Sequence, residues 1–135
     1  AGLVVRVIDM IADGSARADE QAGDITLAPK LTIDDGRIDW TLSATAVHQR
    51  RRGVTPEPGA FTIVDESRVK ILDALIARDA APRKTGQIDF EAGRVLVGTA
   101  TQPIELARVQ PAGKKPMSAV DWWRGRQFAG EAWAQ

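Results

Sequence analysis

The residues best suited to chemistry lie together in Gln110-Pro-Ala-Gly-Lys-Lys-Pro-Met-Ser-Ala-Val-Asp-Trp-Trp-Arg-Gly-Arg126. Here Lys114, Lys115, Arg124 and Arg126 face one acid, Asp121. Cations around a Pro-Ala-Gly turn and a helix start can hold phosphate oxygens, and the chemistry this suggests is a clamp on RNA backbone phosphate. The plainer reading is a solvated turn and a terminal helix. On the local sequence alone the plainer reading prevails, because lysines are mostly exposed in any protein. A second run, Arg50-Arg51-Arg52-Gly53, admits two readings equally. It is either a last helical turn whose basic residues suit the helix dipole before a glycine exit, or a second cationic patch.

Little else in the chain suits catalysis. There is one histidine, no cysteine, no tyrosine and no asparagine. Without cysteine neither a disulfide nor a thiolate metal site can form. His48 has no second ligand or nucleophile placed beside it by the sequence. Asp34-Asp35 and Asp65-Glu66 are adjacent pairs in turns, so their carboxylates diverge. No phosphate-binding P-loop or Rossmann glycine pattern occurs. The chain reads as a binding module.

The elements that must position these cations follow from periodicity. The 135 residues suffice for one domain with a real core. Leu3, Val4, Val7, Ile8 and Ile11 recur at helical spacing, and Asp13-Gly14 stops that helix. A helix this short is marginal alone and expects a partner for its apolar stripe. The sequence opens without Met, as a fragment, a processed product or a recombinant piece would. Residues 14–27 read as a linker. Pro29 keeps Ala28 extended, Thr32 can cap a short turn through Asp34-Asp35, and Ile38 and Trp40 share a core face of an extended piece. Ser43 caps a helix over about 43–53. From residue 60 alternation takes over, with strands at 60–64, 68–72 (continuing toward 76), 87–90, 94–98 and 104–109. The hairpin turns fall at Asp65-Glu-Ser, read as about three residues, and at Glu91-Ala-Gly93. A last helix begins at Ser118, with Asp121 three residues on as in a capping box, and Trp122 and Trp123 pack it on the strands. Phe128 and Trp133 are candidate anchors of the tail. The expected architecture is mainly β with helices (α+β). It is a small OB-like barrel of five to six strands with flanking helices, preceded by a linker and an isolated helix.

Barrels of this kind commonly bind oligonucleotides. Base stacking is disfavoured, since Trp40, Phe61 and Phe90 all read as core and exposed aromatics are what stack bases. Phosphate contacts are favoured instead, giving salt-sensitive affinity more than base specificity. Charge balances overall at 18 basic and 18 acidic residues. Residues 1–40 carry four bases and eight acids, and residues 41–135 fourteen and ten. The second part is thus mildly basic, and a local patch matters more than the net sum. No apolar run approaches the roughly 20 residues of a membrane span, and Ala1-Gly-Leu-Val-Val lacks the basic start of a signal peptide. A soluble, cytoplasmic protein is expected, with no membrane and no metal.

Four motifs, Ala28-Pro-Lys-Leu-Thr32, Arg37-Ile-Asp-Trp40, Thr55-Pro-Glu-Pro-Gly-Ala60 and Val109-Gln-Pro-Ala-Gly-Lys-Lys-Pro-Met-Ser118, stand in an order and spacing that resembles the C-terminal part of the methionyl-tRNA formyltransferase family. The likeness covers residues 28–126, and the last motif is its most specific part. The tail beyond Arg126 departs from the family. The resemblance implies that residues 1–13 are the last helix of a preceding Rossmann-like catalytic domain, 14–27 the interdomain linker, and 28–135 an OB-like tRNA-binding domain. It implies a parent enzyme that transfers a formyl group from 10-formyltetrahydrofolate to methionyl initiator tRNA in translation initiation. Its partners would be that tRNA and the enzyme's own catalytic domain. The folate cofactor would bind the catalytic domain and not this chain. The family's catalytic Asn, His and Asp have no counterparts here, so no catalytic residue carries over and the chain alone should be inactive. By position, Lys30, Lys114, Lys115 and Arg126 match basic residues of the family pattern. Arg50, Arg51, Arg52 and Arg124 are added on charge alone. The alternative is a structural barrel of another folate-dependent formyltransferase, of the sugar-nucleotide or formyltetrahydrofolate dehydrogenase type, that binds no RNA. The Gln-Pro-Ala-Gly-Lys-Lys turn points to the tRNA enzyme.

Overall fold

The computed structural model describes residues 2–20, 22–126 and 131–135. Helix α1 spans Gly2–Ala12 and ends in a turn at Asp13-Gly14. Its apolar side chains are uncovered, with Leu3 75%, Val4 63%, Ile8 59% and Ile11 65% exposed. The isolated helix foreseen from periodicity is therefore present, and its stripe finds no cover among the described residues. Residues 15–20 and 22–32 carry no helix or strand and are exposed. Because an 11-residue helix without tertiary packing is marginal in water, the amides of residues 3–11 should exchange with solvent within seconds in a dilute sample. Slow exchange of those amides would contradict an unpartnered α1.

Beyond the linker, a 3-10 turn at Asp34–Gly36 leads into the core. The Thr32 backbone N–H and hydroxyl both donate to Asp35 Oδ2, at 2.8 and 2.9 Å, so the carboxylate and not the threonine closes this turn. Ile38 and Trp40 are buried as expected, and Ile38 N–H donates to the Phe61 carbonyl. Helix α2, Ala44–Gly53, starts where its cap residue dictates: Ser43 Oγ accepts from the Ala46 N–H at 3.2 Å.

The strands are β1 Phe61–Val64, β2 Ser67–Ile76, β3 Gln87–Glu91, β4 Arg94–Val97, β5 Ile104–Pro111, β6 Met117–Ser118 and β7 Ala132–Trp133. All pair antiparallel, in the order β1-β2-β5-β4-β3-β7, with β6 on β5. The β1–β2 turn is shorter than the sequence suggests. It has two residues, Asp65 and Glu66, both at positive φ (49° and 60°), between paired Val64 and Ser67. Positive φ at both positions matches the right-handed twist of the flanking strands. Ala92-Gly93 repeats the device between β3 and β4, at φ 50° and 79°. β2 runs to Ile76, with a bulge near Leu72-Asp73 that bends it along β5.

The ladder is an open path, and the chain end bridges its two edges. Gln135 and Ile63 of β1 exchange backbone hydrogen bonds at 2.9 and 3.0 Å, and Ala134 N–H donates to Gly86, just before β3, at 2.7 Å. Thr62, buried beneath this junction, donates to the Gln135 carbonyl and accepts from Trp40 Nε1 at 3.0 Å. The sheet thus curls round a core of Val69, Ile71, Val95, Val97, Ile104, Leu106 and Val109. Helix α3, Ala119–Arg124, covers one end. Ser118 Oγ accepts from the Asp121 N–H at 3.0 Å, as expected of a capping serine. Trp122 is buried and Trp123 half-buried against the core. Two expectations about aromatics change. Phe90, read as core, is 38% exposed and stacks on Trp123: it shares the face of buried Ile88 but stands near the end of β3, where half-buried Trp123 covers it only in part. Trp133 is 36% exposed, while Ala132 and Ala134 are the tail's buried residues. Phe128 lies outside the described residues.

Candidate nucleic-acid interface

The turn after β5 presents the two lysines. Gly113 takes φ 73°, Lys114 N–H donates to the Pro111 carbonyl at 3.1 Å, and Gln110 Nε2 donates to the Lys114 carbonyl at 3.0 Å. Pinned on both sides, the turn leaves Lys114 and Lys115 exposed, and neither has an ion-pair partner among the described residues. Two charges with no internal carboxylate to satisfy them are available to an external anion.

Arg126 is placed differently. Its side chain is 8% exposed, Nε and Nη2 both donate to Asp65 Oδ2 at 3.1 and 2.8 Å, and its guanidinium lies over the Trp123 ring. It ties the end of α3 to the β1–β2 turn. Lys114 and Arg126 line one cavity of about 330 Å³, together with Asp65, Asp121 and Trp122. The two acids make that cavity electrically mixed. Arg124 is exposed at the last turn of α3.

The arginine run divides three ways. Arg50 pairs with Asp35 at 3.2 Å on the surface. The Asp35 carboxyl is held below the usual carboxylate range, first by the Thr32 backbone N–H, then by the Thr32 hydroxyl, with Arg50 adding to both. A lowered pKa means the pair is present above the ordinary carboxylate range and lost as pH falls through the lowered value. Arg51 is 13% exposed, donates to the Leu72 carbonyl at 3.0 Å and lies 3.5 Å from Asp73, which fastens α2 to the β2 bulge. Arg52 is exposed, with no ion-pair partner among the described residues. Lys30 is exposed in the irregular segment before the core. Of the cations singled out from sequence, Lys30, Arg52, Lys114, Lys115 and Arg124 form no ion pair among the described residues, while Arg50, Arg51 and Arg126 are engaged internally.

Two cations outside that set sit beside the turn. Arg68 and Lys70 alternate with buried Val69 and Ile71, which turns both to the outer face of β2. Lys70 pairs with Gln110, and the Arg68 carbonyl accepts from the Ala112 N–H. The alternation is visible in the sequence. Their nearness to the Gly-Lys-Lys turn depends on β2 pairing with β5, far along the chain. Among the described residues no cluster of His, Cys, Asp or Glu could hold a metal ion, and no helix is long and apolar enough to cross a membrane.

Residues 30–127 match the family model described as formyl transferase, C-terminal domain. The chain is 60% identical over 125 residues to the methionyl-tRNA formyltransferase of Clavibacter michiganensis subsp. michiganensis, an alignment covering 93% of this chain and 41% of that protein. It is 50% identical over 126 residues to that of Arthrobacter sp. strain FB24, covering 93% and 41%. Against that of Mycobacterium sp. strain KMS it is 45% identical, covering 100% and 44%. The chain therefore spans about two fifths of the length of these curated relatives. The fold recurs in HypX from Aquifex aeolicus in complex with tetrahydrofolic acid, with a TM-score of 0.63 at 16% identity, covering 88% of this chain and 22% of that one. A substituted HypX variant gives a TM-score of 0.64 at 14% identity, covering 95% and 25%. The chain belongs to the formyl transferase C-terminal domain family.

Proposed function

We propose that this chain is the tRNA-binding C-terminal portion of a methionyl-tRNA formyltransferase, acting in the cytoplasm. The enzyme would move a formyl group from 10-formyltetrahydrofolate to methionyl initiator tRNA. One observation carries the reading: the chain is up to 60% identical, over 93% of its length, to proteins named for that activity. The geometry supports it, with Lys114 and Lys115 held outward on a pinned turn and Arg52, Arg124 and Lys30 exposed on the surface. The uncovered stripe of α1 suits the preceding catalytic domain as its partner. That domain would supply the folate site and the chemistry, and this chain the grip on tRNA. The same relatives weigh against the sugar-nucleotide and dehydrogenase alternatives.

A salt titration of binding to an initiator tRNA transcript tests the proposal. Two to four phosphate contacts should make log K fall against log salt with a slope of roughly −1.4 to −3.6. No mobility shift at low salt with the folded chain would favour a barrel that only braces its neighbour.

A further inference from the structure

The outer face of β2 connects the two cationic regions that lie apart in the sequence. Arg51 is fastened to the β2 bulge through the Leu72 carbonyl, and the Gly-Lys-Lys turn is fastened to the start of β2 through Ala112 and Arg68. Between these points the outward residues are Arg68 and Lys70. Two shallow cavities run along this face. One of about 150 Å³ is lined by Arg68, Lys70, Gln110 and the turn, and one of about 160 Å³ by Lys70, Gln110 and the Thr55–Ala60 loop. They share Lys70 and Gln110, so they form one groove with a cation and an amide in its middle.

Neither Arg68 nor Lys70 meets a carboxylate among the described residues. The Arg68 guanidinium lies on the face of the Phe61 ring, 3.9 Å from its centroid, which holds it in place without consuming a hydrogen bond. Its Nε is buried with no hydrogen-bond partner among the described residues. Residues two apart on a strand stand about 6.6 Å apart, a spacing comparable with one nucleotide step along an RNA strand.

We infer that Arg68 and Lys70, with Gln110 between them and the turn, bind consecutive backbone phosphates of an RNA strand that runs from the Lys114-Lys115 turn toward the end of α2. This rests on the tRNA-binding reading above and adds to it residues and a direction. Contacts to backbone phosphate position the strand and carry no base identity, so affinity should vary little with sequence.

The test compares the full chain with Arg68→Gln/Lys70→Gln and with the charge-keeping Arg68→Lys/Lys70→Arg, each titrated with the tRNA transcript across salt. The Gln pair should bind about 25- to 60-fold more weakly at 0.1 M salt, with a slope less steep by about 1.4 to 1.8. The charge-keeping pair should keep the salt slope of the unmodified chain, since each position still carries one positive charge and the slope counts charges. Thermal midpoints of both variants show whether the Phe61 contact and the fold are kept. Binding of the Gln pair with unchanged affinity and slope, while the unmodified chain binds, overturns the groove and leaves the tRNA reading standing. Equal losses in the Gln and charge-keeping pairs also overturn it, because the effect would then be one of shape and not of charge. No tRNA binding by the unmodified chain sinks both.

Discussion

Replacing Lys114→Ala and Lys115→Ala together is expected to weaken tRNA binding about 25- to 60-fold at 0.1 M salt, with a slope of log K against log salt less steep by about 1.4 to 1.8. The figures follow from counterion release. Each lysine–phosphate pairing that is removed takes roughly 0.7 to 0.9 from the slope, and at 0.1 M salt the same amount from log K. The loss should be nearly uniform across tRNA sequences, because contacts to phosphate position a nucleic acid without reading it. The folded chain should be indifferent to the change. Both side chains are exposed, and the turn is held by the Pro111 carbonyl and Gln110, which the substitutions leave alone. Surface replacements away from such features stay within about 0.5 kcal/mol, so the thermal midpoint serves as the control. Arg126→Ala would be a poor substitute probe. It would remove the Asp65 pairing and the Trp123 contact at once, and its effect would mix folding with binding. A double lysine variant that binds with the unmodified affinity and slope would remove the turn from the interface.

Deleting residues 131–135 should lower the thermal midpoint by roughly 15–30 °C. Besides the β3–β7 pairing of Gln87 with Trp133 and Ile88 with Ala132, four hydrogen bonds go with the segment: the two between Ile63 and Gln135, Ala134 to Gly86, and Thr62 to Gln135. At about 1 kcal/mol each, and about 4–8 °C per kcal/mol for a domain of this size, that range follows. The burial of Ala132 and Ala134 disappears as well. The larger consequence is at the sheet edges. β1 and β3 would each expose an unpaired row of N–H and C=O groups, the ordinary template for strand-to-strand aggregation. Turbidity or light scattering on warming should therefore rise at lower temperature in the truncated chain. A truncated chain that melts at the same temperature would show that the terminal bridge contributes nothing to the curled sheet. One residue links this region to the core: Thr62 accepts from Trp40 while donating to Gln135, so loosening the tail frees a buried hydroxyl.

Local patterns carry much of the fold. The stripe of α1, the caps at Ser43 and Ser118, and the strand alternation from residue 61 to residue 109 are short-range features set by each residue's own neighbours, and the structure keeps them. The turn at Asp65-Glu66 is legible as a turn, but its reading comes out one residue too long, because its two left-handed residues are not glycines and nothing local marks them. Phe90 reads as core only for being aromatic. It does share the face of Ile88, but its place near the end of β3 sets it against half-buried Trp123 and not in the interior, which only the packing of α3 decides.

The sequence by itself determined which residues carry charge, which elements hold them and, through four ordered motifs, the family. Tertiary structure alone decided which cations are engaged. Arg50, Arg51 and Arg126 look like their neighbours in the chain, yet they are paired with Asp35, Asp73 and Asp65, from 15 to 61 positions away. Whether a charge is available to a phosphate depends on the carboxylates within about 4 Å, and that distance is set by how strands and helices pack, not by spacing along the chain. The same holds for Arg68 and Lys70. They are two alternating positions on a strand until β2 pairs with β5 and brings them beside the lysine turn.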